Sequence, residues 1–509
     1  MPTGWETFPV EFKGGLISNL SPLQQGINKV GSATILQNYE PTKDGGYRKI
    51  LGYTPYSSTQ VSGSGDMLCA KIVNNAEVIA ARSTGTATRY FVGSGTTWTT
   101  LATAASLGGK VRHDEFTFDG THKVVFVDGV NYPAIYNDTT NALTFLSTPT
   151  DIQGASYVRV YKNHIFYANG SKVIFGAPYS DTDYTVASGG GIIDIGHTIT
   201  GMVIFRDILF VFARNKIVQI SGSSVSDFVT SPVTQSIGCI NGDSIQEVGG
   251  DVMYMSPDGL RLLSATDRND DFALEVASNP ISKDVATFMA SATNFSSMVI
   301  RGKAQYRIFA YVSSDPATAG KGLLATKFSD QGSADIQWGT LRGFKVACCD
   351  SKYTEAGESF IFANDDGYVY SMEVGNSFNG SNIASIYESP YMPITDPQLR
   401  KTLYRITLYV TPTGSFTLQC GIKYDFDRIN GQNVIQPPVF DIVSTGGGTS
   451  LWGSATWNQF YYGGIIDKVY SNHLVGSGKT FSVRFDDNST NPSHTLDAAI
   501  FEYLASDRQ

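Results

Sequence analysis

Charge is what this sequence has least of. Asp, Glu, Lys and Arg make up 16% of its 509 residues, against about 25% in an ordinary soluble domain. No run of basic residues occurs, and 37 Lys and Arg against 46 Asp and Glu leave a net charge of −9. A protein whose main work is gripping phosphates needs clustered Lys and Arg, so that class is set aside. An acidic chain that meets DNA does so as a wall that repels the backbone. Long apolar runs are missing too: no stretch reaches the ~18 residues of a membrane-crossing helix. The opening MPTGWETFPVEFKGG has no positive n-region and no apolar h-region, which predicts a cytoplasmic origin without export. Cysteine is scarce and odd in number. Cys69, Cys239, Cys348, Cys349 and Cys420 match neither a zinc spacing nor a disulfide framework, and read as core thiols made in a reducing compartment. Helical periodicity is nearly absent. Its best candidate is NPISKDVATFMA at 279–290, where Asn before Pro offers a cap and a first-turn residue.

Glycine (52), phenylalanine (29) and tyrosine (27) are plentiful, and 41% of residues are hydrophobic. The length exceeds what one core supports, so two or three domains are expected. One pattern recurs: an apolar strand, a turn of Asn, Asp or Gly, and a second strand. The copies are MLCAKIVNNAEVIAA (67–81), KVVFVDGVNYPAIYN (123–137), HIFYANGSKVIFG (164–176), DILFVFARNKIVQIS (207–221), DVMYMSPDGLRLLS (251–264) and SFIFANDDGYVYSM (359–372), with a longer hairpin over 306–327. Asn-Gly and Asp-Gly accept the positive φ that tight hairpins need. The turns near Asn75, Gly129, Gly170, Asn215, Gly259, 316 and Gly367 repeat at the period of a four-stranded propeller blade, roughly 40–55 residues. The prediction is an all-β chain: an extended arm over 1–60, a β-propeller of six or seven blades over 61–380, and an antiparallel β-sandwich over 381–509. The alternative is a set of unrelated hairpins in a sandwich. Regular spacing favours the propeller, although tryptophan-aspartate and kelch signatures are both missing. Long strands at 400–427, 479–487 and 494–505, with a Gly-rich loop at 446–454, mark the sandwich.

Candidate chemistry is thin. GSGKT at 476–480 lacks the first glycine of a phosphate loop, since position 473 is His473, and a strand-like FSVRF follows where a helix is required. It reads as a hairpin turn. Asp425, Asp427, Asn430 and Gly431 suggest a calcium loop, but the register is off by one and Gln436 stands where the closing Glu belongs; a turn is the better reading. The acidic run Asp267–Asp271 reads as a solvated loop ahead of a cation site. The six histidines show no metal-ligand spacing, and no Gly-x-Ser-x-Gly elbow occurs. A sialidase-like hydrolase would repeat a Ser-x-Asp-x-Gly-x-x-Trp box; Ser256-Pro-Asp258-Gly259 comes near once, without the Trp. No catalytic residue, cofactor or metal is therefore expected.

The segment 12–56 carries Gly14-Gly15-Leu16, Ser21-Pro22-Leu23, Leu36 to Pro41 and Gly45 to Tyr53, and the C-terminal part carries ESPY (388–391), RKTLYRITLYV (400–410), WGSATW (452–457) and GSGKTFSVRF (476–485). Over roughly a third of the chain these stretches resemble the tail nozzle or packaged-DNA stabilisation proteins of short-tailed bacteriophages. The resemblance implies a non-enzymatic virion protein made in the host cytoplasm. It implies a homo-hexameric ring below portal and adaptor that touches tail fibres and lets packaged DNA pass without sequence specificity. The rivals are a fibre-anchoring or receptor-binding tail protein and a propeller glycan hydrolase. An extended arm makes little core of its own, so Trp5, Tyr39, Tyr47 and Tyr53 are expected as interface anchors, with packing inside the chain as the alternative. Arg400, Lys401 and Arg405, with Lys423, are candidates for a subunit or DNA contact or for plain solvated surface.

Overall fold

The computed structural model describes residues 5–73, 77–263, 276–330, 333–429, 432–433, 436–444 and 468–505. The chain is all-β, with 52% strand and 8% helix. The expected hairpins are there, and their apolar runs have a common cause. Val124 and Phe126 enter the core shared with the preceding sheet, while Val125 and Val127 enter the core shared with the following one. The same alternation divides Ile165 and Tyr167 from Phe166 and Ala168, and Leu209 and Val211 from Phe210 and Phe212. Side chains of a strand alternate between faces, and a sheet buried on both faces shows an unbroken apolar run. That is the geometry of radially stacked blades.

Six free-standing sheets of three or four strands lie at 67–103, 112–145, 157–194, 199–234, 241–262 and 348–372, and the first four strands of a nine-stranded sheet, 294–342, complete the ring. We number these seven wedges in chain order. An apolar core fills every junction between neighbours, from Tyr90 against Phe126 at the first to Phe309 against Phe362 and Tyr370 at the sixth. The ring closes where Ile361 and Val369 of blade seven meet Ala70 and Ala80 of blade one. Its closure is a strand exchange: Tyr53–Pro55, from before the first blade, pairs as the outermost strand of the last.

Blade six does not stop at its fourth strand. Ile35–Gln37 pairs parallel with Ser333–Arg342 and antiparallel with Ile383–Glu388, and the sheet runs on through Phe481–Ser489, Thr417–Tyr424 and Phe440–Val443. This second half faces a sheet of Tyr39–Pro41, Tyr47–Lys49, His494–Ala505, Lys401–Pro412 and Val469–His473. Leu403, Ile406 and Leu408 meet Cys420, Val483 and Phe485 in the core between them. The sandwich is thus continuous with a propeller blade, and position 380 is not a physical seam. Residues 5–60, expected as an extended arm along the body or a neighbouring subunit, lie along this chain's own body. Glu6–Glu11 pairs with His494–Ala505, and the following strands serve both halves.

The helix expected at 279–290 forms as a 3-10 turn, Asn279–Ile281, followed by Ser282–Ala290. A helix that was not expected, Pro22–Asn28, has Ser21 and Gln24 capping each other's backbone, with Pro at its start. That capping-box pattern was readable in Ser-Pro-Leu-Gln. Gly26 on it is obligatory, because a Cβ there would lie 1.9 Å from the carbonyl oxygen of Tyr391.

Candidate functional site

The inner strands of the blades bring together charged residues from distant parts of the chain. A cavity of ≈ 130 Å³ on the propeller axis is lined by Lys110, Arg112, His113, Arg159, Asp243 and Asp350, among others. Arg112 grips Asp243 with two bonds, Nε to Oδ1 at 2.7 Å and a terminal nitrogen to Oδ2 at 2.9 Å, and its guanidinium lies 4.2 Å from the Tyr157 ring centroid. Lys110 stands 3.5 Å from the same carboxylate and donates to the Phe295 carbonyl at 2.7 Å. Asp350 accepts from the Ile72 amide at 2.9 Å and faces Lys71 at 3.2 Å. Lys71 and Lys352 both reach Glu115, at 2.7 and 2.9 Å. The imidazole of His122 sits between Glu115 (3.0 Å) and Asp138 (2.8 Å).

Burial opposes charge on these carboxylates, but their partners outweigh it. Asp243 is held at about 2 by Lys110 and Arg112, and Glu115 at about 2 by Lys71 and Lys352. Burial, and then Lys71, drive His113 down to about 3, so its ring is neutral at ordinary pH. Cys348 and Cys349, beside the cavity, are pushed up by burial and are not nucleophiles. The axis is occupied by paired charge, and its cavity has room for a few waters at about 30 Å³ each.

A second cluster locks the propeller to the sandwich. Glu40, 1% exposed, accepts from Arg48 (2.5 Å) and Lys303 (2.7 Å) through one oxygen and from Arg307 (3.0 Å) through the other. Arg307, fully buried, also reaches Glu373 at 2.7 Å, and Lys303 bonds the same carboxylate. Burial would raise the Glu40 pKa, yet Lys303, Arg307 and Arg48 together hold it at about 2.

The residues expected at interfaces separate into two groups. Tyr39, fully buried, bonds His494 Nε2 at 2.8 Å. Tyr47, equally buried, donates to the Gly31 carbonyl and accepts from the Gly15 amide, both at 3.0 Å. Tyr53 packs on Phe344, Phe362, Tyr370 and Phe378. Lys401, 2% exposed, donates to the carbonyls of Pro393 (2.5 Å), Asp396 and Lys479 (3.3 Å). These four have no surface to offer a neighbour; the arm's aromatics found their partners within their own chain. Trp5 is 59% exposed, its ring 4.1 Å edge-on from Tyr404. Arg405, also exposed, lies 3.6 Å from Glu502 on the same outer face. Arg400 is exposed and bonds Ser477, and Lys423 pairs with Glu388 at 3.1 Å.

The GSGKT turn does the reverse of a phosphate loop: the amides of Lys479 and Thr480 both donate to the Asp425 carboxylate, at 2.8 and 3.1 Å, and strand Phe481–Ser489 follows. Asp425, from the calcium-like motif, is thereby used up on backbone. Asp258 of the sialidase-like turn pairs with Arg261 at 2.5 Å. The run Asp267–Asp271, the Asn75 turn and WGSATW lie outside the described residues. Among the described residues no group of His, Cys, Asp and Glu converges as a metal site, and no helix is long and apolar enough to cross a membrane.

No family model matches the chain, and no curated protein does. Among solved structures it is similar to the extracellular domain of a hybrid two-component system from B. thetaiotaomicron, at 10% identity and TM-score 0.38 over 64% of this chain and 43% of that one. It is similar also to an exo-beta-1,3-galactanase from Phanerochaete chrysosporium, at 10% and 0.27 over 89% of this chain and 100% of that one. A third is the WD40 beta propeller domain of Doa1, at 11% and 0.37 over 63% and 96%. The chain therefore spans less than half of the first of these. Scores this low say nothing of what the chain does.

Proposed function

We propose that this chain is a structural, non-enzymatic virion protein of a short-tailed bacteriophage: a tail nozzle subunit that assembles with copies of itself into a ring below portal and adaptor. The observation that carries the reading is where the family-like motifs lie. Gly15 accepts no side chain, since a Cβ there would lie 2.7 Å from the Trp338 amide. Leu16 donates its amide to the Trp338 carbonyl at 2.8 Å. Ser21 caps the first helix. Glu40 centres the junction cluster, Tyr47 stitches Gly15 to Gly31, and Tyr53 lies in the strand that closes the ring. Motif residues spent on joining two domains suit a protein whose task is to bear load.

On this reading the axis of each propeller, filled by ion pairs, is not the DNA conduit. The duplex passes between subunits, along surfaces whose low or negative charge lets phosphates slide. The face of the sandwich that carries exposed Trp5 and Arg405 and half-buried Tyr404 is the surface we assign to contacts with neighbours. Native mass measurement of the purified full chain tests the ring: a sixfold species supports it, and a trimer favours the fibre-anchoring alternative. Digestion of a glycan by the same sample contradicts the structural role.

A further inference from the structure

Among the described residues, one lysine–carboxylate pair is closed to water on both sides. Lys49 ends the strand Tyr47–Lys49 and Asp487 lies on Phe481–Ser489, in the two facing sheets of the sandwich. Their side chains keep 1% and 0% of their surface, and Nζ stands 2.8 Å from Oδ2. Nζ also faces the carbonyls of Ser489 (3.2 Å) and Asn491 (3.4 Å) and the Ser489 hydroxyl (3.5 Å). That hydroxyl donates to the other carboxylate oxygen, Oδ1, at 2.5 Å. His494, which burial keeps neutral at ordinary pH, has its Nδ1 3.8 Å from Oδ2 and its ring stacked on Phe416. The neighbouring Asp486 turns away to Arg484. The equally buried Arg307 and Glu40 offer no parallel, because a guanidinium stays charged. A lysine can lose its proton, and burial draws the Lys49 pKa down.

We propose that Lys49 and Asp487 condense into an isopeptide bond, a cross-link that the folded chain makes within itself. The ammonium first passes a proton to Oδ2, leaving an amine beside a carboxylic acid. The amine lone pair adds to Cγ, and the charge that gathers on Oδ1 is met by the Ser489 hydroxyl. A second proton moves from Nζ to Oδ2, the Cγ–Oδ2 bond breaks, and one water leaves past the partly exposed turn at 489–492. Nothing is oxidised or reduced, and no co-reactant enters. Two features of the site favour the reaction. Nζ and the carboxyl are held in contact by a fixed frame, which replaces a bimolecular encounter. In water an amide hydrolyses largely because the amine and the acid it releases both ionise; here buried charge is costly, so that advantage is withdrawn. The bond joins positions 438 residues apart and ties the N-terminal segment to the facing sheet of the sandwich. The inference is independent of the tail-nozzle reading.

The test is mass spectrometry of the purified full chain. Its intact mass after denaturation should be one water below the mass of the sequence, and a tryptic digest should contain a branched peptide that joins Lys49 to Asp487. K49R keeps the charge and the hydrogen bonds but does not condense, so it should run at its full sequence mass with no branched peptide, as should D487A. A parent chain at full sequence mass overturns the proposal. So does a missing water that persists in K49R, or one that maps to an Asp-Gly step such as Asp128-Gly129 and not to the pair. Should K49R and D487A both fail to fold, the parent alone decides: the branched peptide supports the bond, and a digest in which Lys49 and Asp487 appear only on separate linear peptides overturns it.

Discussion

The two charged clusters of this molecule use the same residue types for different ends. At the junction, Glu40 and Arg307 are sealed, and Glu40, Glu373, Arg48, Lys303 and Arg307 satisfy one another. On the axis, Arg112 and Asp243 keep 23% and 14% of their side-chain surface, beside a cavity that admits water. A sealed cluster fixes geometry, since charges out of water tolerate no change of partner. A cluster that borders a cavity stays within reach of water, which can replace a lost partner.

That contrast can be broken experimentally, beginning with the junction. Glu40→Ala leaves Arg307 buried with Glu373 as its one remaining counter-ion among the described residues, and should cost about 3–5 kcal/mol, read as a lower urea midpoint. Arg112→Met should cost less, about 2 kcal/mol, because Lys110 stays near Asp243 and water can approach; equal losses at the two sites would remove the distinction. Acid titration of stability separates the groups further. Glu40, Glu115 and Asp243 titrate at about 2 when folded, against ordinary values of 4.5, 4.5 and 3.8. Their contribution is complete above about pH 4.5 and is lost as pH falls toward 2. His113 and His494 are depressed from 6.5 to about 3, first by burial. The unfolded chain therefore takes up their protons first, and stability already declines as pH falls below 6.5. His494→Gln should reduce the slope between pH 6.5 and 4.5 by about half, with His113 supplying the rest, and Glu40→Gln should act only below that; an unchanged slope near pH 6 in the His494 variant counts against a buried neutral imidazole there. The smallest effect belongs to the surface: Arg405→Ala, opposite Glu502 at 3.6 Å, should change monomer stability by less than about 0.5 kcal/mol.

The propeller was legible because its physics is local. A strand buried on both faces must be apolar throughout, as at Val124–Val127, and the turn after it must accept positive φ, as Gly129 (φ 78) and Gly170 (φ 62) do. From the second blade on, the recognised turns join the second and third strands, which kept their spacing regular. The N-terminal segment was harder to read. Most of its strands are three residues long, as at Tyr39–Pro41 and Tyr47–Lys49, too short to show a period, so glycines and prolines gave the look of an extended arm. The axial site was invisible for another reason. Arg112, Arg159, Asp243 and Asp350 come from four different blades, and only the ring brings them together. One local signal existed: Arg112 to Glu115 is a charged run within a strand, in a chain otherwise poor in charge.

The most direct test of the proposed nozzle role is an electron cryomicroscopy reconstruction of the short-tailed phage particle that this role calls for, at a resolution that places this fold. Six copies around the tail axis, with DNA density between subunits and none along any propeller axis, is the predicted result. Absence of the chain from the particle, or a duplex threaded through a propeller, would contradict it.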